Sequence, residues 1–177
     1  TGIEANEGLA ETLVDYERKG FVKSFDSWSS VCQFLQQLPV LSKLGRVKRK
    51  KLDPQKGIKV KERTILDQRE SGTTTATNNH HRSILPRATD GVQDGLDMAY
   101  DLQPDEEVEW MIIDFEDAFF LVPTRPRERK YGVAQFRGRY FVYLRVVQGS
   151  RGGPLVYCSV GALATRLVQS TFQDRAT

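Results

Sequence analysis

The chain has 177 residues, of which 39% are apolar and 28% charged, and its formal net charge is +3. That length suits one compact domain or two lobes of a larger one, and the composition excludes general disorder. No apolar run reaches the roughly 18–20 residues of a membrane span, and the polar, acidic start from Thr1 to Glu7 is unlike a signal peptide.

Spacing of apolar residues predicts a helix over 5–19, with Leu9, Leu13 and Tyr16 in step. A second helix is predicted over 27–38, capped by Asp26 or Ser27 and ended by Pro39. Its packed face is read as Trp28, Val31, Phe34, Leu35 and Leu38. Strands are predicted at 44–51 and 58–66, joined by the turn-forming Asp53–Gly57, with Val47 and Val60 on the packed side. Residues 71–83 are polar and without period, so they are read as loop; the adjacent His80 and His81 cannot share a helix face. A helix over 89–102 is predicted, capped by Thr89 or Asp90, with Val92, Leu96, Ala99 and Leu102 inward. A short apolar strand, Val108 to Ile113, ends at Asp114. A hairpin follows at 131–136 and 139–147, with Arg137-Gly138 as its tight turn. After the glycine-rich stretch Gln148–Pro154, a last helix is predicted from Leu155 to Phe172.

The small net charge hides strong segregation. Residues 41–70 carry eleven Lys or Arg against four acids, residues 88–117 carry eleven acids and no Lys or Arg, and residues 118–151 are strongly basic again. The basic blocks form a candidate surface for a polyanion, set against the plainer reading of a solvated charged face. Cys32 and Cys158 alone make neither a disulfide framework nor a zinc site, so a reducing, intracellular setting is expected, neither secreted nor at a membrane. The first residue is Thr1 rather than Met, so a longer parent product is expected.

Three stretches carry possible chemistry. In Trp110-Met111-Ile112-Ile113-Asp114-Phe115-Glu116-Asp117-Ala118-Phe119, an apolar strand delivers a carboxylate at its carboxyl end, a natural position for a Mg²⁺ ligand. In Val147-Gln148-Gly149-Ser150-Arg151-Gly152-Gly153-Pro154, the glycines allow close backbone approach. In Lys61-Glu62-Arg63-Thr64-Ile65-Leu66-Asp67, Lys61 and Arg63 stand on the second strand of the basic hairpin, where they can clamp phosphates.

Together these stretches resemble the reverse transcriptase family, in its fingers and the first part of its palm, over roughly residues 40–172. Arg63-Thr64-Ile65-Leu66-Asp67 looks like the family's fingers strand. Ile113–Phe119, followed by Val122-Pro123 and Arg129-Lys130-Tyr131, is similar to its first palm motif. Gln148-Gly149, with Pro154 five residues after the glycine, resembles its second. The resemblance implies an α+β fold of antiparallel strands with packed helices, with an incomplete palm. It divides the chain into an N-terminal helical segment (1–43), a fingers-like region with the basic hairpin (44–107) and a partial palm (108–177).

By the same resemblance, Asp114 would be a catalytic, metal-binding carboxylate, and the Phe115 carbonyl would help hold Mg²⁺ (or Mn²⁺). The amides of Asp117 and Ala118 would approach a triphosphate, and Phe119 would stack under the sugar and exclude a 2′-hydroxyl. An Asp at that place would favour ribonucleotides, so Phe119 favours deoxynucleotides. Arg63, supported by Lys61 or Lys48, would reach the phosphates; Gln148 and Gly149 would contact the incoming nucleotide. Arg137, Arg139 and Arg151 would hold nucleic-acid backbone. The implied partners are an RNA or DNA template–primer, deoxynucleoside triphosphates, and the rest of the polymerase (palm, thumb, RNase H) downstream.

Val147 and Gly153 stand where the second motif usually has Pro and Ser or Thr, and no Tyr-x-Asp-Asp occurs in the 177 residues. The chain by itself is therefore expected to be inactive. The rival expectation is a non-catalytic nucleic-acid-binding remnant of a retroelement.

Overall fold

The computed structural model describes residues 6–53, 57–78, 87–110 and 114–171. The elements are α1 (Glu7–Arg18), β1 (Val22–Phe25), α2 (Trp28–Leu35), β2 (Leu41–Asp53), β3 (Gly57–Asp67), α3 (Thr73–Ala76), α4 (Ala88–Tyr100), β4 (Val133–Phe136), β5 (Arg139–Tyr143) and α5 (Gly153–Gln169). Two 3₁₀ turns, Ala118–Leu121 and Pro126–Tyr131, precede β4. The fold is mixed α and β, with a five-stranded sheet in the order β1-β5-β4-β2-β3. Its strands come from all three segments of the sequence. The pairings are antiparallel except β2 with β4, which run parallel through Leu41↔Val133 and Ser42↔Ala134.

Period-two alternation decides which helix covers which face. Ala134, Phe136, Phe141 and Tyr143 meet Leu9 and Leu13 of α1. Their neighbours Val133 and Val142 meet Val31 and Leu35 of α2. Each helix starts with a side-chain cap, as a free first turn requires. Asn6 Oδ1 accepts from the Leu9 N–H at 2.9 Å, and Ser27 Oγ accepts from the Ser30 N–H at 3.2 Å. The predicted β4–β5 turn is present, with Arg137 and Gly138 both at positive φ (48° and 74°), the pair of left-handed residues a two-residue hairpin needs.

Beyond Ser42, β2 leaves the sheet and pairs with β3 alone, from Lys43↔Asp67 out to Asp53↔Gly57. The basic hairpin is therefore an arm, longer than the sequence suggested, and Val47 and Val60 are exposed rather than packed. Nothing lies over the outer arm to bury them among the described residues.

Several other expectations change. Helix α2 ends at Leu35 because Gln36 adopts the left-handed conformation (φ 52°), which turns the chain before Pro39 and leaves Leu38 79% exposed. Residues 73–76 form one helical turn inside the expected loop. Strand β1 was not anticipated. In α4 the first cap comes from Asp90 at the third helical position, whose Oδ2 accepts from the Arg87 N–H at 2.7 Å. Val92 and Leu96 are each 62% exposed and Ala99 is exposed too, while Leu102 is half-buried, so most of the face read as inward is outward among the described residues. Residues 108–110 are not strand; 111–113 lie outside the described residues, as do His80, His81 and Phe172. The strand predicted over 139–147 ends at Tyr143, though Arg145 still bridges to Pro123. Among the described residues no helix is long and apolar enough to cross a membrane.

Candidate functional site

The Asp114–Phe119 stretch is a turn followed by 3₁₀ helix. Asp114, Phe115 and Glu116 are exposed. Asp117 holds a left-handed conformation (φ 53°), and its carbonyl accepts from the Phe120 N–H at 2.7 Å. Phe120 is the buried anchor, stacked on Phe21 with centroids 4.9 Å apart and planes 5° apart. The chain then runs alongside the end of β5. Thr124 N–H reaches the Leu144 carbonyl at 2.9 Å, and Val146 N–H reaches the Val122 carbonyl at 2.9 Å.

That ladder delivers Val147 and Gln148 next to the first stretch. Here the glycines matter individually. Gly149 has φ 103°, and a Cβ there would stand 2.9 Å from the Leu66 carbonyl oxygen. Gly153 is buried, and a Cβ there would stand 2.7 Å from Ser150 Oγ and 3.5 Å from Phe119 Cε1. The Gln148 carbonyl accepts from the Leu66 N–H at 3.2 Å, which ties this turn to the end of β3. Phe119 and Phe115 both face Tyr157 of α5, at 5.4 Å and 6.4 Å between centroids. Three segments far apart in sequence, 63–67, 114–119 and 148–154, thus meet at Leu66, Phe119 and Gly153.

Around this junction, Arg63 is exposed on β3, opposite Val47. Lys61 lies opposite Arg49 in the same register. Lys48 pairs with Glu62 at 3.0 Å and holds that carboxyl below its usual range, helped by Arg46. Asp67 accepts from Arg69 Nε and Nη2 (3.1 Å and 3.0 Å), which lowers its pKa. Arg151 Nη1 donates to the Thr74 carbonyl at 3.2 Å. Ala118 opens the 3₁₀ turn, half-buried.

Arg137 and Arg139 stand elsewhere. Arg137 pairs with Glu7 of α1 and lowers its pKa. Arg139 Nε donates to Asp26 at 3.1 Å and Nη2 to Ser24 Oγ at 2.7 Å. Both arginines tie the β4–β5 hairpin to the N-terminal segment.

Two features escaped the sequence reading. Lys19, at the end of α1, donates to Asp117 Oδ2 at 2.7 Å, a contact across 98 positions that no local pattern signals. A cavity of about 380 Å³ opens beside the glycine-rich turn, bounded by Gln68, Tyr131, Tyr143, Arg145, Ser150 and Arg151.

On the arm, Arg49 and Lys50 of β2 and Arg63 of β3 are exposed. Exposed cations of one sign along a strand pair attract an anion. Compared with known proteins, the sequence matches no family model and no curated protein.

Proposed function

We propose that this chain is the fingers and first half of the palm of a reverse transcriptase of retrotransposon type. The parent enzyme extends a primer on an RNA or DNA template with deoxynucleotides. The observation that carries the reading is the convergence of the three motif-like segments, through Leu66 against Gly149 and Phe119 against Gly153. Contact between the segments is what a shared nucleotide site requires.

In this reading the primer 3′-oxygen attacks the α-phosphorus of the incoming nucleotide. A new P–O bond forms as the hydroxyl proton passes to solvent, the bond to the β-phosphate breaks, and pyrophosphate leaves with the pair of electrons. Arg63, with Lys61, meets the triphosphate charge from the arm, while the Asp117 and Ala118 amides point at it from the turn. Phe119, braced by Tyr157, lies under the sugar. Gln148 and Gly149 line the side facing the templating base. The oxygen donors suit a hard cation: the exposed Asp114 carboxylate and the Phe115 carbonyl would hold Mg²⁺ or Mn²⁺. When bound, that ion offsets phosphate charge and lowers the pKa of the 3′-hydroxyl. The charged arm gives the template–primer backbone a counterpart. Without a Tyr-x-Asp-Asp hairpin the carboxylate set is incomplete, and the 177 residues alone do not polymerise.

The test is single-nucleotide primer extension by the full natural product that contains these 177 residues. Deoxynucleotide is incorporated in preference to ribonucleotide, and Phe119→Ala narrows that preference about tenfold or more. Preferential ribonucleotide incorporation contradicts the reading. Tight, salt-sensitive template–primer binding with no incorporation would replace it with a non-catalytic binding remnant.

A further inference from the structure

The turn that carries Asp117 is held from the N-terminal segment. Lys19 Nζ lies 2.7 Å from Asp117 Oδ2 and 3.3 Å from Asp15 Oδ2. Lys19 is an exposed residue and Asp117 a half-buried one, with side chains 34% and 30% exposed.

Contacts around each end bring the two side chains within reach. Lys19 closes α1, its N–H donating to the Asp15 carbonyl at 2.9 Å. Gly20 (φ 70°) then reverses the chain, and the Phe21 N–H returns to the Tyr16 carbonyl at 2.9 Å. At the other end the Phe120 N–H holds the Asp117 carbonyl at 2.7 Å. Phe21 and Phe120 stack on each other, with Tyr16 packed 4.7 Å from Phe120. The stacked rings thus set the spacing between ammonium and carboxylate, two residues before one ring and three before the other.

Asp117 needs such a hold. A positive φ is costly for a residue with a Cβ and persists where the surroundings over-determine it. It also sits in a stretch with carboxylates at 114, 116 and 117. An anionic triphosphate approaching that stretch meets less repulsion when one carboxylate is neutralised.

We propose that Lys19 is the positioning residue of this turn. It pins the Asp117 carboxylate, keeps the left-handed conformation, fixes the aim of the Asp117 and Ala118 amides, and cancels one negative charge where the triphosphate is received. The last two effects rest on the nucleotide role proposed above; the first two do not.

Two experiments separate these layers. Hydrogen exchange on the 177-residue chain reads the turn itself through the Phe120 amide. Lys19→Ala speeds its exchange about tenfold or more, while Lys19→Arg, which keeps the charge, stays within about threefold of the native rate. Asp117→Gly, which adopts positive φ without a latch, also stays near the native rate. Unchanged exchange in Lys19→Ala overturns the proposal, and so does an Asp117→Gly turn as loose as that of Lys19→Ala. Primer extension by the full natural product reads the second layer. Lys19→Ala raises the deoxynucleotide KM about tenfold, with kcat and template–primer affinity within about threefold, and Lys19→Arg restores it. An unchanged KM removes the nucleotide role of Lys19 and leaves the polymerase reading standing. A native protein that extends no primer counts against the polymerase reading, and the exchange result then decides the latch.

Discussion

Gly149 and Gly138 both sit at positive φ, 103° and 74°, yet only Gly149 faces an obstacle. An added methyl at 138 meets nothing within 4 Å, so Gly138→Ala costs only the left-handed penalty, about 1 kcal/mol. At 149 the methyl is driven toward the Leu66 carbonyl, and the backbone contact between two motif segments must open; the expected loss is roughly 3 kcal/mol. Urea unfolding of the two variants checks this, and equal losses would contradict the packing described. Thr64 offers a change of the opposite sign. Its hydroxyl is buried and finds no hydrogen-bond partner among the described residues. Thr64→Val removes that unmet group and is expected to stabilise by about 1 kcal/mol, read from the same unfolding curves. Titration supplies a third expectation. Arg137 holds the Glu7 carboxyl low, Arg18 that of Asp15, Lys48 that of Glu62 and Arg69 that of Asp67. Each is more acidic folded than unfolded, so its contribution is present above the ordinary carboxyl range near pH 4 and fades as pH falls through the lowered values. The Tm should therefore drop between about pH 5 and pH 3; a Tm that rises on acidification contradicts these pairings.

Among the elements, those whose partners are local in sequence were legible. Leu9 and Leu13 announced α1, Ser27 its neighbour α2, and Arg137-Gly138 the hairpin of β4 and β5, because each signal lies within a few residues. Strand β1 was not legible: Val22–Phe25 is four residues long and is strand only because Tyr140–Tyr143 lies beside it, over a hundred positions away. The resemblance gave 63–67 and 148–154 a common nucleotide, but neither the Leu66 contacts nor the Lys19 latch has a local signal. Helix α4 shows the reverse failure. Its periodic Val92, Leu96 and Ala99 mark an apolar face correctly, but periodicity does not say that the face is covered, and here it is open. Phe120 was passed over for its neighbour Phe119, though burial makes it the anchor of the turn. Phe120→Ala should cost about 3–5 kcal/mol, while Leu96→Ser should leave stability within about 0.5 kcal/mol. Thermal unfolding of the pair decides it, and a large loss in Leu96→Ser would show that α4 is packed after all.

At the scale of the whole molecule, charge is sorted by place. The arm carries the exposed Arg49, Lys50 and Arg63, whereas Arg137 and Arg139 engage Glu7, Asp26 and Ser24. Template–primer affinity should accordingly fall steeply with salt. Replacing Arg49 and Lys50 together by Ala should reduce the log–log slope by about one to two. Arg139→Ala should move it less, because its guanidinium is already engaged. Equal changes in slope would place nucleic acid across both surfaces. Since both a polymerase and a binding remnant would pass that test, it measures the surface and does not test the role proposed for Asp114. The most direct measurement is single-nucleotide extension of a primer with Mg²⁺ and one deoxynucleotide, comparing the full natural product that contains these residues with its Asp114→Asn variant. The account predicts equal template–primer binding, with incorporation by the native chain and a loss on the order of 100-fold or more in the variant. Equal incorporation by both, or binding without incorporation by either, would contradict it.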